Sequence, residues 1–319
     1  MTTGNTMGRG RRTWLRSAAM TTAILALISF AGCSSEEATG GGGEGSLTLS
    51  VGGGAALQQG FPYTEGNVEY AFVDGWSLEI TKYIVVLGGV TLRDPSGGGV
   101  VGEWAGPAVL DLATGDGNSQ ELATLESLPA TRLNLEFDLL RATGAATNRT
   151  AAEQDLDTMI QQGWSFLVEG NASKAGKTVA FRFGLDVQSH YHDCINGKDK
   201  TKGIAIERDK TIGAFIYAHA LHLFWDTLAA GDESLRFDAF AAVAGDDDLV
   251  TTEELRQQDL TDLHDENGDP LRDSDGSRVL YNDGGMLPPD QLNLEAFLNY
   301  AARSSVHFNG VGLCGSSAL

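Results

Sequence analysis

Three stretches of the chain alternate apolar and polar residues with a period of two. Leu133, Leu135, Phe137 and Leu139 interleave with Arg132, Asn134, Glu136 and Asp138. Val179, Phe181, Phe183 and Leu185 interleave with Ala180, Arg182, Gly184 and Asp186. Trp76, Leu78 and Ile80 alternate with Ser77, Glu79 and Thr81, and an apolar run follows from Tyr83 to Leu87. Side chains in a strand point to opposite faces in turn, so this pattern predicts strands with one packed and one wet face. A further apolar run, 212–218, predicts a buried strand. Gly-rich punctuation between the runs suits hairpins and short loops.

Helical signals are fewer and lie mostly after Asp226. Thr150-Ala151-Ala152-Glu153 has the form of a capping box opening a helix that stops at Gly163. Thr251-Thr252-Glu253-Glu254 opens a second, short helix, and Pro288 to Arg303 predicts a third with Leu292, Phe297 and Tyr300 toward the core. The expected fold is α+β and mostly β: an antiparallel β-sandwich core, with a few helices and acidic loops toward the C-terminus.

The N-terminus departs from this pattern. Arg9, Arg11, Arg12 and Arg16 precede an uncharged apolar stretch, Ala18 to Phe30, which is shorter than the roughly 20 residues a bilayer span needs. It ends in Ser29-Phe30-Ala31-Gly32-Cys33, which resembles the lipobox of bacterial lipoprotein precursors. That resemblance implies cleavage before Cys33 and a lipid on its thiol. Arg11-Arg12-Thr13-Trp14-Leu15-Arg16 also resembles a twin-arginine export motif. The expected organisation is a signal peptide over 1–32, a lipid-anchored tether over 33–46 containing Gly40 to Gly43, and one β-rich domain over 47–319. The membrane, through that anchor, is the first expected partner, and the cell envelope the expected location.

Composition narrows the remainder. Against 22 Lys and Arg stand 43 Asp and Glu, a formal charge of −21. A surface so acidic repels phosphates and excludes nucleic acid as a partner. Besides Cys33, only Cys194 and Cys314 occur. An oxidising compartment favours a disulfide between them, with Cys194 as a metal thiolate the alternative.

Candidate chemistry gathers on histidines. His190 and His192 follow a predicted strand and would share a face. His219 and His222, if a helix begins there, would lie with Asp226 at i, i+3 and i+7 on one face. Imidazoles with carboxylate support suit Cu or Zn better than Mg or Ca. The alternative is that the histidines are structural. Asp265, Asn267 and Asp269, then Asp273 and Asp275, form oxygen-rich loops that could take Ca²⁺. The EF-hand pattern is not met, however, since Pro270 and Gly276 stand where its Gly and Glu belong, and hairpin turns are the competing reading. No G-x-S-x-G, P-loop or H-E-x-x-H occurs, so a non-enzymatic protein is expected, with an unidentified protein as a further partner.

Beyond the signal, Asp74-Gly75-Trp76-Ser77-Leu78, the Tyr83 to Val86 run and His222-Leu223-Phe224-Trp225-Asp226 resemble envelope lipoproteins of the myxobacterial kind. The combination of a β-rich exported body with neighbouring histidines and tryptophans is similar to copper-binding periplasmic proteins partnered with di-haem peroxidase-like enzymes. That likeness implies copper as the metal.

Overall fold

The computed structural model describes residues 43–114, 119–229, 231, 233–265 and 267–319. The export signal, Cys33 and the first part of the tether lie outside them. The first strand runs Glu44–Gly52, so residues 44–46 belong to the body rather than to the tether.

The alternating stretches form the strands their pattern predicts. Leu133, Leu135, Phe137 and Leu139 are fully buried on one face of the Arg132–Leu139 strand, and the Lys177–Leu185 strand buries Val179, Phe181, Phe183 and Leu185 in the same way. Both belong to an eleven-stranded sheet with the order 249–251, 177–185, 166–174, 77–93, 132–139, 189–192, 315–318 along its main path. A four-stranded sheet packs across it, in the order 306–308, 211–218, 44–52, 120–129. Leu47, Leu49, Val51 and Ile216 of the small sheet share one core with Tyr83, Leu133 and Phe181 of the large one. The body is therefore α+β and mostly β, with a sandwich at its centre, and the chain from Gly42 to Leu319 forms one compact unit.

The apolar run at 83–87 is buried on both faces because it packs against two cores. Tyr83, Val85 and Leu87 enter the main core, whereas Ile84 and Val86 meet Leu156 and Met159 of the Glu153–Gln162 helix in a second, smaller core. Aromatic rings fill the main core near the C-terminal loops: Phe181 lies 5.8 Å from Phe237 and 6.3 Å from Phe224. Truncating a buried Phe removes its transfer free energy and leaves a cavity. Phe181→Ala is therefore expected to cost about 3–5 kcal/mol, read from the denaturation midpoint; a loss below about 1 kcal/mol would contradict this packing.

Two of the helices start later than the sequence pattern predicts. The capping box at Thr150 does not form, because the Thr150 hydroxyl instead accepts the Asp111 N–H and bonds to Gln120 Oε1. The helix starts at Glu153 and ends, as expected, at Gly163 in the left-handed conformation. The box at Thr251 does form, with reciprocal bonds to Glu254. The third helix begins only at Leu294, where the Asn293 side chain accepts the Ala296 N–H. Pro289 holds the residue before it extended, so a helix could not run on from Pro288.

The Thr211–Ala218 strand is buried on one face only. Ala214, Ile216 and Ala218 point inward, while Phe215 and Tyr217 stand half-buried on the outer face. It runs parallel to Glu44–Gly52 and antiparallel to Val306–Phe308, with Tyr217 opposite His307. Cys194 and Cys314 are joined in a disulfide, which removes Cys194 from the candidate metal ligands.

Candidate metal centre

Immediately after the Thr211–Ala218 strand the chain turns tightly. His219 is still extended, and residues Ala220–Phe224 form a 3-10 turn rather than the α-helix expected. Side chains at i and i+3 eclipse in that geometry. His222 consequently stacks over His219, with ring centroids 5.8 Å apart and planes 15° from parallel. Trp225 is extended again and carries the chain away, which removes Asp226 from the group. The Asp226 carboxylate accepts instead from Arg236 Nε at 2.8 Å and from the Ser234 N–H at 3.0 Å. These bonds occupy its oxygens away from the imidazoles.

A third ring, His307, completes the cluster. Its strand follows the Leu294–Ser304 helix, and it projects on the outer face of the small sheet. Its centroid is 4.9 Å from that of His219 and 5.1 Å from that of His222, nearly edge-on to both. Neither His219 Nε2 nor His307 Nδ1 has a hydrogen-bond partner, although both atoms are buried. His222 Nδ1 lies 3.3 Å from Ser304 Oγ. The cluster also continues a column of rings: Phe215 to Tyr217 at 4.3 Å, Tyr217 to His219 at 5.3 Å, and His222 to Trp225 at 3.7 Å.

All three imidazoles are held neutral. Burial lowers the His219 pKa; burial, His307 and His219 bring His222 down to about 2; burial and His219 bring His307 down to about 4. Among the described residues, no carboxylate is a cause of these shifts. The His222 pKa lies below its ordinary value of 6.5, so in that interval the unfolded chain takes up a proton that the folded chain refuses. The resulting stability is complete above pH 6.5 and is lost as pH falls, by about 1.4 kcal/mol per unit for such an imidazole. The metal-free protein should therefore melt at lower temperature at pH 5 than at pH 7, with a shallower slope in His222→Gln. Equal slopes would contradict the burial of that ring.

His190 and His192 share a face, with rings 5.7 Å apart, but they sit elsewhere. Their strand, Ser189–His192, belongs to the large sheet, whereas His219 and His222 follow a strand of the small one. Each also has its own carboxylate: His190 Nδ1 is 2.7 Å from Asp138 Oδ1, and His192 Nδ1 is 3.0 Å from Asp193 Oδ2. The expected help from these residues to His219 and His222 is not what the fold provides.

The acidic loops are turns. Asp265 accepts the N–H groups of Asn267 and Asp269, and the flanking residues His264 and Pro270 pair. Asp275 accepts the Ser277 N–H between the paired residues Arg272 and Arg278, and Asp273 meets Asp275. Asp265 and Asp275 are thus engaged by backbone amides of their own turns. Among the described residues no group of three or more His, Cys, Asp or Glu side chains has its donor atoms gathered around one point. Comparison with protein-family models, curated proteins and solved structures finds no match to this chain.

Proposed function

We propose that this chain is a lipid-anchored, non-enzymatic envelope protein whose β body binds one transition-metal ion, copper or zinc, between His219, His222 and His307. The observation that carries the reading is the spacing of the three rings. A metal 2.0–2.1 Å from three imidazole nitrogens puts ring centroids about 5.2 Å apart at tetrahedral angles and about 5.5 Å apart at trigonal ones. The three separations run from 4.9 to 5.8 Å. Metals take neutral imidazole, and two of the rings present buried nitrogens that nothing else satisfies. The rings rest face to face and edge to face, so binding requires them to turn in place until their donors converge.

A second reading is favoured by the ring column itself, in which the histidines serve as packed rings between Tyr217 and Trp225. One experiment separates the two. Protein taken from its own envelope should carry about one equivalent of Cu or Zn, lost in His222→Ala and retained in His190→Ala. A metal-free wild type that takes up neither ion favours the packed column. Lipidation of Cys33 is tested separately by the mass of the mature chain.

A further inference from the structure

The loops at 194–203 and 308–314 build a rigid platform. Ile195 N–H donates to the Leu313 carbonyl at 2.8 Å, Gly197 N–H to that of Phe308 at 3.2 Å, and the Cys194–Cys314 disulfide joins the two loops. Close approach makes two glycines obligatory. A Cβ on Gly312 would stand 2.0 Å from the Ile195 carbonyl oxygen, and one on Gly197 would stand 2.2 Å from that of Asn309. Yet this well-fixed platform turns apolar side chains outward, with Val311 68% exposed, Leu313 64% and Ile195 36%.

Lysines lie in and just beyond the loop that carries Ile195. The whole sequence has seven lysines, of which Lys198, Lys200, Lys202 and Lys210 fall within thirteen residues. Lys202 pairs with Asp193, Arg132 with Asp199, and Lys210 with Glu207. Lys198 and Lys200 are exposed and have no acidic partner among the described residues. In a chain of charge −21 the segment 193–210 is close to neutral, with five Lys and Arg against four Asp and Glu.

The platform also lies at the end of the body where the chain enters. Gly43 accepts the Ala130 N–H at 2.9 Å, and the adjacent Thr131 accepts the Ile206 N–H at 2.8 Å. Arg132 then donates to the carbonyls of Lys202 and Gly203, at 3.3 and 3.2 Å. Ten residues separate Cys33 from Gly43, a span of at most about 35 Å even when fully drawn out. A lipid on Cys33 would therefore have its tether rooted at this end of the body.

From these observations we infer that Ile195, Val311 and Leu313, with Lys198 and Lys200, form a docking face for an anionic lipid surface. The inference rests on the lipid-anchor reading and adds an orientation to it. Aliphatic tips enter the headgroup boundary while lysines meet phosphates. Charge beyond about 8 Å is screened at physiological salt, so the contact is set by this segment, where Lys198 and Lys200 are the cations left without an acidic partner, rather than by the acidic remainder of the body.

The test is lysine acetylation footprinting of the full lipidated chain in vesicles of phosphatidylcholine alone or mixed three to one with phosphatidylglycerol. Lys198 and Lys200 should be at least fivefold protected in the anionic vesicles, with Lys82 and Lys174 unchanged. Val311→Ser/Leu313→Ser, which alters only exposed side chains, should abolish the protection. Equal reactivity in both vesicles overturns the docking inference while the anchor stands. Protection in native envelopes but not in anionic vesicles also overturns it, because a protein would then cover the face. A mature chain without lipid on Cys33 overturns the anchor and the docking inference together.

Discussion

His307→Ala should release the metal as completely as His222→Ala does, with a stoichiometry falling from about one to below about 0.1. Two imidazoles cannot enclose the ion that three hold, and among the described residues no carboxylate groups with these rings: Asp226 is bound to Arg236 and Ser234. Trp225 supplies an independent readout, because its ring lies 3.7 Å from that of His222. Copper added to the metal-free wild type should quench its emission, and copper added to His307→Ala should leave it unchanged at the same concentration. If His307→Ala kept full occupancy while His222→Ala lost it, His307 would be a neighbour of the site and not part of it.

Replacing Cys194 and Cys314 with serine should produce the largest loss of stability. The bond spans a sequence separation of 120 residues, and a closed loop of that size restricts the unfolded chain by about 4–5 kcal/mol in the chain-entropy model. It also secures the Gly315–Ala318 strand, the last of the large sheet, against Ser189–His192. Urea denaturation of the double variant should show an unfolding free energy lowered by that amount, with Ser317 and its neighbours exchanging amide protons faster than the Arg132–Leu139 strand. A change under about 1 kcal/mol would mean that noncovalent pairing alone holds this edge.

The strands were readable because a period of two survives in local sequence wherever one face is wet. Arg132–Leu139 and Lys177–Leu185 show it residue by residue. The small sheet was harder to foresee. Its strands at 44–52 and 211–218 pair in parallel across a long separation, and nothing local announces such a partner. The same non-locality hid His307, whose place beside His219 is set by the Tyr217–His307 pairing. Its one local signal was position: in Val306-His307-Phe308 two buried residues flank a ring that must point the other way. At His219 the spacing to His222 was legible, but an α-helix and a 3-10 turn share that spacing. Only the extended Trp225 shows that Asp226 departs. Likewise, Asp265, Asn267 and Asp269 are spaced as cation ligands and as turn formers alike, and their own backbone amides use Asp265 first.

X-ray absorption at the metal edge, on protein loaded with one equivalent of Cu or of Zn, tests the three-histidine centre most directly. The expected spectrum has three nitrogen scatterers near 2.0 Å with the outer-shell scattering of imidazole rings, reduced in His307→Ala. A first shell of oxygen or sulfur without imidazole scattering, or the same spectrum in wild type and variant, would place the metal elsewhere.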